Sequence, residues 1–364
     1  MITIDGNYLE GGGQIVRTAL ALSTVTGLPF SVTGIRTGRK NPGLKAQHLH
    51  GVKALEALCH ASSTGAELAS TSLQYQPGTM EGRTLPIDIG TAGSIGLLMQ
   101  TLLLPCCFSD SKVRLKITGG TDTRWSMPFD YVVQVLLPVL NPFADFKVEL
   151  LKRGYYPKGG GKVDITITPK IHRDHFASPE DFITHLRLTC PPFNMTDPGT
   201  LLHIKGVSHA SEDLKRGQVA ERQAKAAKLD LRRPGVKIDI SSQYHTTDST
   251  GSGVVLWAEF SHSRLGADAL GDRGIRAETV GQDAAQQLNT AINSNTPVDK
   301  HLCDNLIPFL GLVGGQIKTS EVTDHALTNI YVTEQFLPVK FDVSGNTIMV
   351  VPVNFMTNSH IGST

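Results

Sequence analysis

Helix-period and strand-period segments alternate along this chain in a recurring order, and that recurrence restricts the fold to repeated α/β units. Residues 14–26 carry Ile15, Ala19, Leu22 and Val25 at helical spacing. Gly27 and Pro29 stop that helix, and 30–36 reads as a strand. A second helix is expected over 44–59, with Leu44, His48, Val52, Leu55 and Leu58 on one face, followed by short strands near 67–75. The order returns as helix 94–107, strand 112–118, helix 129–140, and strands 146–152 and 162–168. Beyond residue 277 a third copy is expected, with helices 278–292 and 300–313 and strands near 315–320, 328–334, 338–343 and 347–353. Three units of about 75–80 residues describe this pattern best. The fold class expected is α/β (α+β).

The order breaks between 185 and 276, a segment bracketed by Pro191-Pro192 and by Gly266, Gly271 and Gly274. An inserted small α/β domain is expected over 185–276, with 1–184 and 277–364 forming the three-unit core. A chain of 364 residues is long for one compact core, which agrees with this division. Within the insert, 215–237 holds Lys215, Arg216, Arg222, Lys225, Lys228, Arg232, Arg233 and Lys237 against Glu221 and Asp230. Two readings stand: a solvated helix face, or a surface that tracks phosphates.

Composition excludes more than it assigns. A net charge of +1 gives no global attraction to nucleic acid, and a 6% aromatic content does not advertise extensive base stacking. The cysteines Cys59, Cys106, Cys107, Cys190 and Cys303 show no C-x-x-C spacing, so a zinc site or disulfide framework is not expected. A reducing compartment is the natural reading, intracellular, nuclear or cytoplasmic, and not secreted. Met1 to Gly6 runs directly into a strand-like segment without signal-peptide character. No apolar run approaches the ~20 residues that span a bilayer, so no membrane partner is expected.

The glycines cluster, and tight turns and backbone surfaces that approach a ligand closely are expected there. Gly11-Gly12-Gly13 stands between a strand and a helix opening at Gln14, a geometry that turns free N–H groups toward an anion. Glu10 beside it offers a hard oxygen suited to magnesium or manganese. A tight turn with exposed charges would look the same. Arg17 follows Gln14 by about one turn, and Arg36, Arg39, Lys40 and Lys45 lie together without an acid between them. Phosphate binding and a solvated loop both fit that cluster. The segment Gly154 to Lys162 is not a P-loop, because Val163 stands where a Ser or Thr would hold magnesium. The loops Asp88–Ser94 and Gly119–Asp122 each lead toward a helix, which turn chemistry alone explains.

Taken together, these segments resemble the RNA 3′-terminal phosphate cyclase family along nearly the whole chain. The resemblance rests on Asp5-Gly6, Glu10 to Thr18, Ile35 to Leu49, Asp88 to Ser94, Gln100-Thr101 and Gly119 to Asp122. It continues through Arg153 to Val163, His301-Leu302-Cys303-Asp304-Asn305, Asp324 to Asn329 and Glu334 to Pro338. Arg-Gly-x-x-Pro-x-Gly-Gly-Gly-x-Val is its most specific string. The resemblance implies three repeats of two helices on a four-stranded sheet, similar to the C-terminal domain of translation initiation factor three, with a smaller α/β domain inserted before the third. It implies an enzyme that uses ATP and a divalent cation, Mg2+ or Mn2+, to convert an RNA 3′-phosphate into a 2′,3′-cyclic phosphate. The partners it implies are ATP and RNA ending in a 3′-phosphate.

By this resemblance His325 is the nucleophile that carries AMP, and Glu10 contacts the metal. Gln14, Arg17, Arg36, Arg39, Gln47 and His48 match positions lining the phosphate site. Gln100 and the run His301, Leu302, Cys303, Asp304 and Asn305 match the ATP pocket, with Pro128 near the adenine. Asn305 stands where a glutamine is usual, and Arg124-Trp125-Ser126-Met127 replaces a smaller, proline-rich loop. A catalytically inactive, cyclase-like branch that acts in ribosome assembly lacks the histidine and the intact N-terminal motif. Both are present here. An enolpyruvyl transferase on the same repeat is disfavoured by the Arg153 to Val163 string.

Overall fold

The computed structural model describes residues 1–352. Four four-stranded sheets organise the described residues. The first unit runs β1 (Ile2–Asp5), α1 (Gln14–Thr26), β2 (Phe30–Thr33), α2 (Ala46–Cys59), β3 (Ser62–Thr64) and β4 (Ser72–Gln76), with sheet order β1-β2-β4-β3. Its first two strands are parallel and the remaining pairs antiparallel. The second unit repeats the order with β5 (Thr84–Asp88), α3 (Ile95–Cys107), β6 (Val113–Gly119), a helical segment, β7 (Ala144–Lys152) and β8 (Gly161–Pro169). That segment consists of α4 (Phe129–Tyr131), a wide π turn (Val132–Leu136) and α5 (Leu137–Leu140). Pro138 has no N–H for the carbonyl of Gln134. Arg264 donates to that carbonyl instead, at 2.8 Å.

Helix α6 (Pro179–Thr189) leads to β9 (Phe193–Met195), the first strand of the third sheet. The inserted sheet then intervenes: β10 (Leu201–Ser211), α7 (Val219–Asp230), β11 (Lys237–His245), β12 (Ser252–Phe260), β13 (Arg264–Leu270) and α8 (Ala277–Asn293), ordered β11-β10-β12-β13. The third unit resumes with α9 (Lys300–Val313), β14 (Gly315–Lys318), α10 (Asp324–Phe336), β15 (Val339–Ser344) and β16 (Thr347–Pro352). Its sheet order β9-β14-β16-β15 matches the other two units.

Two expectations are corrected. Residues 328–334 are helical within α10, not a strand. Thr328, Ile330, Val332 and Thr333 favour strands locally. Thr323 caps the helix by accepting from the Ala326 N–H, however, and α10 packs against α1 and α9. Helix α8 does not open the third unit: Val280, Ala284, Ala285 and Leu288 pack with Ile204, Val254 and Leu256 of the inserted sheet. Its apolar stripe is at helical spacing either way, so periodicity alone could not say which sheet it covers.

The helices of the three units face one another and share one apolar cluster, while the inserted sheet with α7 and α8 has its own. Helix α1 is buried along its whole length, between α2, α3 and α10. Its N-terminus is thereby fixed where the first-unit loops meet α10. Half of the basic residues of the 215–237 stretch are engaged within the insert: Arg222 pairs with Glu278, Lys215 with Glu212, Lys237 with Asp239, and Arg233 bonds Asn289. Lys225, Lys228 and Arg232 are exposed. Among the described residues no helix is long and apolar enough to cross a membrane.

Candidate active site

Three buried polar contacts set α10 on the core. Pro308 leaves the Asp304 carbonyl without its helical partner, and the Asn329 amide donates to it. Asn329 also accepts from Thr18 of α1 at 2.6 Å. The Asp304 carboxyl accepts from the capping Thr323 hydroxyl at 2.6 Å. Helices α9, α10 and α1 are therefore locked together one turn below His325. Across the top, Tyr8 stacks on Tyr331 with centroids 4.0 Å apart, and the Tyr331 hydroxyl accepts from the Asp5 N–H. The loop carrying Glu10 is so held against the helix carrying His325.

At this junction His325 Nδ1 lies 3.7 Å from a Glu10 oxygen, and Arg39 pairs with the same oxygen at 2.8 Å. Gln14 donates to the His325 carbonyl at 3.1 Å. Burial lowers the His325 pKa, Glu10 opposes this, and Arg17 and Arg39 add to the lowering. The imidazole is therefore neutral at physiological pH, with a free lone pair. Gly12 and Gly13 have no acceptor for their N–H groups among the described residues. They stand at the positive end of α1.

Below them Arg17 is buried, donates to Gln100 at 2.9 Å and touches His48 Nε2 at 3.3 Å. Burial, with Arg36 nearby, brings the Arg17 pKa down to about 10, so it stays charged. His48 Nδ1 accepts the Lys45 N–H at 3.0 Å. The neutral ring then carries its hydrogen on Nε2 and faces Arg17 as a second donor. Burial and three surrounding cations hold its pKa well below the ordinary value. A Cβ on Gly13 would fall 2.1 Å from His48 Nε2, so only glycine admits this ring at the helix end. Arg36, itself at φ 56°, reaches the Gly43 carbonyl, and Gln47 lies beside Gly93.

The α9 run divides. His301 and Asn305 are partly exposed, whereas Leu302 and Cys303 belong to the apolar core and present no side chain to a ligand. Asp304 is buried, and burial pushes its carboxyl up to about 7. Its contacts are with α10. Asn305 reaches Met127 Sδ at 3.4 Å and the Met127 carbonyl abuts Gly96, while the neighbouring Pro128 is buried. From His301 a cleft of about 730 Å³ opens between the 123–126 loop and the β13–α8 face of the insert.

Sequence reading missed the buried charges beneath that loop. Arg153 is 1% exposed and pairs with Asp130 at 2.7 Å and Asp122 at 3.2 Å. His209 of the insert meets Asp122 at 3.3 Å, and Tyr155 bonds His209 at 2.7 Å. Burial alone would raise Asp122, but His209 and Arg153 outweigh it and hold the carboxyl below its usual range. Asp122, Asp130 and His209 have the ligand spacing of a metal site. A guanidinium already fills the place of an ion. The glycines after Arg153 serve close approach: a Cβ on Gly159 would meet the Thr91 carbonyl at 2.6 Å, and one on Gly160 the Asp248 carboxylate of the insert. The conspicuous Arg153 was the available signal, but nothing local names its partners.

Glu10 offers one half-exposed carboxylate. That suits magnesium, which takes one or two carboxylates and fills its remaining positions with water and substrate phosphate.

The family model for RNA 3′-terminal phosphate cyclase matches residues 8–343. A Pyrococcus furiosus protein named RNA 3′-terminal phosphate cyclase is 44% identical over 346 residues, covering 95% of this chain and 96% of that protein. Proteins with the same name from Archaeoglobus fulgidus and Saccharolobus solfataricus are 41% identical over 353 and 348 residues. They cover 96% and 95% of this chain, and 100% and 97% of their own lengths. Agreement of that depth, end to end, means that the chain belongs to the RNA 3′-terminal phosphate cyclase family.

Proposed function

We propose that this chain is an ATP-dependent RNA 3′-terminal phosphate cyclase that works through His325. The observation that carries the reading is the meeting of Glu10, Arg39 and Gln14 at His325, with Arg17 and His48 behind them. Glu10 faces Nδ1 and favours the tautomer with hydrogen there. The Nε2 lone pair then attacks the ATP α-phosphorus, forming a P–N bond as pyrophosphate departs. An RNA 3′-phosphate oxygen next attacks that phosphorus. The P–N bond breaks, His325 recovers its lone pair, and RNA-pp-A forms. The vicinal 2′-hydroxyl then attacks the RNA phosphorus and loses its proton to solvent. AMP leaves and the cyclic phosphate remains.

Each step develops charge on phosphoryl oxygens, which preorganised donors stabilise. Arg17, Arg36, Arg39, Gln14, Gln47 and His48 are the donors we assign to that task. Gln100, His301, Asn305 and Pro128 are assigned to hold the nucleotide. Glu10 would hold magnesium or manganese, whose contribution when bound is neutralisation of phosphate charge. Leu302, Cys303 and Asp304 act from behind, by packing and by capping α10.

The test is self-adenylylation. Incubated with α-labelled ATP and Mg2+, the wild-type protein should acquire acid-labile, alkali-stable label, and His325→Ala should acquire none. Equal labelling of both, or of neither, would rule out this mechanism and leave a binding role for the fold.

A further inference from the structure

Trp125 is 92% exposed, on a loop that is otherwise firmly held. The loop is anchored at both ends by one residue, since Arg153 pairs with Asp122 before it and Asp130 after it. Between the anchors, Thr123 and Ser126 hydroxyls bond at 2.9 Å, and Arg124 pairs with Asp272 of the insert. Trp125 itself sits at φ +60°, a conformation uncommon for a large side chain. A strained, anchored backbone that displays an indole to water gains nothing for the fold. Such strain gathers where a ligand is met.

The indole stands at the rim of the cleft that leads past Asp268 and Gln287 to His301 and Glu321. Ser320 and Glu321, on the loop that enters α10 just before His325, line its far end, so this cleft reaches the N-terminus of the helix that carries His325. In the inner half of the same loop, Met127 is buried against Asn305 and Gly96. The inner half is thus packed into the protein, and the outer half faces the cleft that runs past His301, which is assigned to the nucleotide.

We propose that Trp125 is a stacking platform for a nucleobase of the RNA strand, close to its 3′-phosphate, as that end enters toward His325. The platform rests on the cyclase reading for the identity of the strand. Any base can use it, because every base has a π-face.

The chain has two tryptophans, and Trp257 is 6% exposed. In a Trp257→Phe background, emission therefore reports on Trp125 alone. Titration with a 3′-phosphorylated oligoribonucleotide should quench it saturably, and ATP should not. Quenching by ATP alone would place the ring in the nucleotide site and overturn the proposal. In turnover, Trp125→Ala should raise the RNA KM about tenfold, the size of one lost base–aromatic stack, while Trp125→Phe should stay within about threefold. Absence of quenching, or an RNA KM untouched in Trp125→Ala, would equally overturn it. Wild-type self-adenylylation separates this from the cyclase reading. Label on His325 without quenching removes the platform only, and quenching without label removes the proposed chemistry only.

Discussion

At the scale of single residues, the same side-chain type does opposite work according to burial. Asp304 was legible only as part of a run matched to a nucleotide pocket. Its carboxyl is buried against Thr323 and pushed up to about 7. A folded pKa above the unfolded value means that the folded state holds the proton longer. The contribution is complete below the unfolded pKa of about 3.9 and is lost as pH rises through 7. Stability should fall by about 1.4 kcal/mol per pH unit inside that window. Asp304→Asn keeps the acceptor for Thr323 and has no such proton. In denaturant titrations, its stability relative to wild type should therefore grow between pH 5 and 7. A constant difference across that range would show that Asp304 is ionised in the fold.

At the scale of elements, helix α10 shows how tertiary partners override local preference. Its β-branched Thr-Asn-Ile-Tyr-Val-Thr run reads as a strand, yet Thr323 caps it and Asn329 ties it to α1 and to the carbonyl that Pro308 frees. Asn329→Ala strands two buried polar groups, Thr18 Oγ1 and the Asp304 carbonyl. A loss of about 1–3 kcal/mol is expected from denaturant unfolding, with His325 displaced. Self-adenylylation should fall with it, even though Asn329 touches no substrate in the proposed mechanism. Normal labelling in a measurably destabilised variant would show that α10 is held by its apolar face alone. Helix α8 shows the same limit from another side. Its stripe was found correctly, but the sheet it covers follows from chain geometry and not from the stripe.

At the scale of the whole molecule, a three-unit core and an inserted unit meet along a buried charged seam. Arg153 stands at its centre, with Asp122, Asp130, His209 and Tyr155 around it. Replacing Arg153 by Met leaves Asp122 buried without one of its two partners, and a loss of about 3–5 kcal/mol is expected. Asp122→Asn in the same chain should restore part of it. We propose that the inserted unit comprises β10 through α8. Limited proteolysis of Arg153→Met should then cut first in the links that flank it, residues 196–200 and 294–299. First cuts within the three-unit core would count against this division.

The repeated α/β order, the glycine turn before α1 and the basic loop at Arg36–Lys45 were determined by sequence alone, because they arise from spacing along a few turns of chain. The family, and with it His325 among 13 histidines, was legible through motif resemblance rather than periodicity. What only the tertiary structure decided is which distant groups meet. Glu10 and Arg39 come together at His325, Pro308 is answered by Asn329, and Arg153 is buried between two carboxylates and a histidine from the insert. A buried charge or a freed carbonyl demands a partner but does not say where along the chain that partner lies. Its choice is settled when the sheets and helices close on one another.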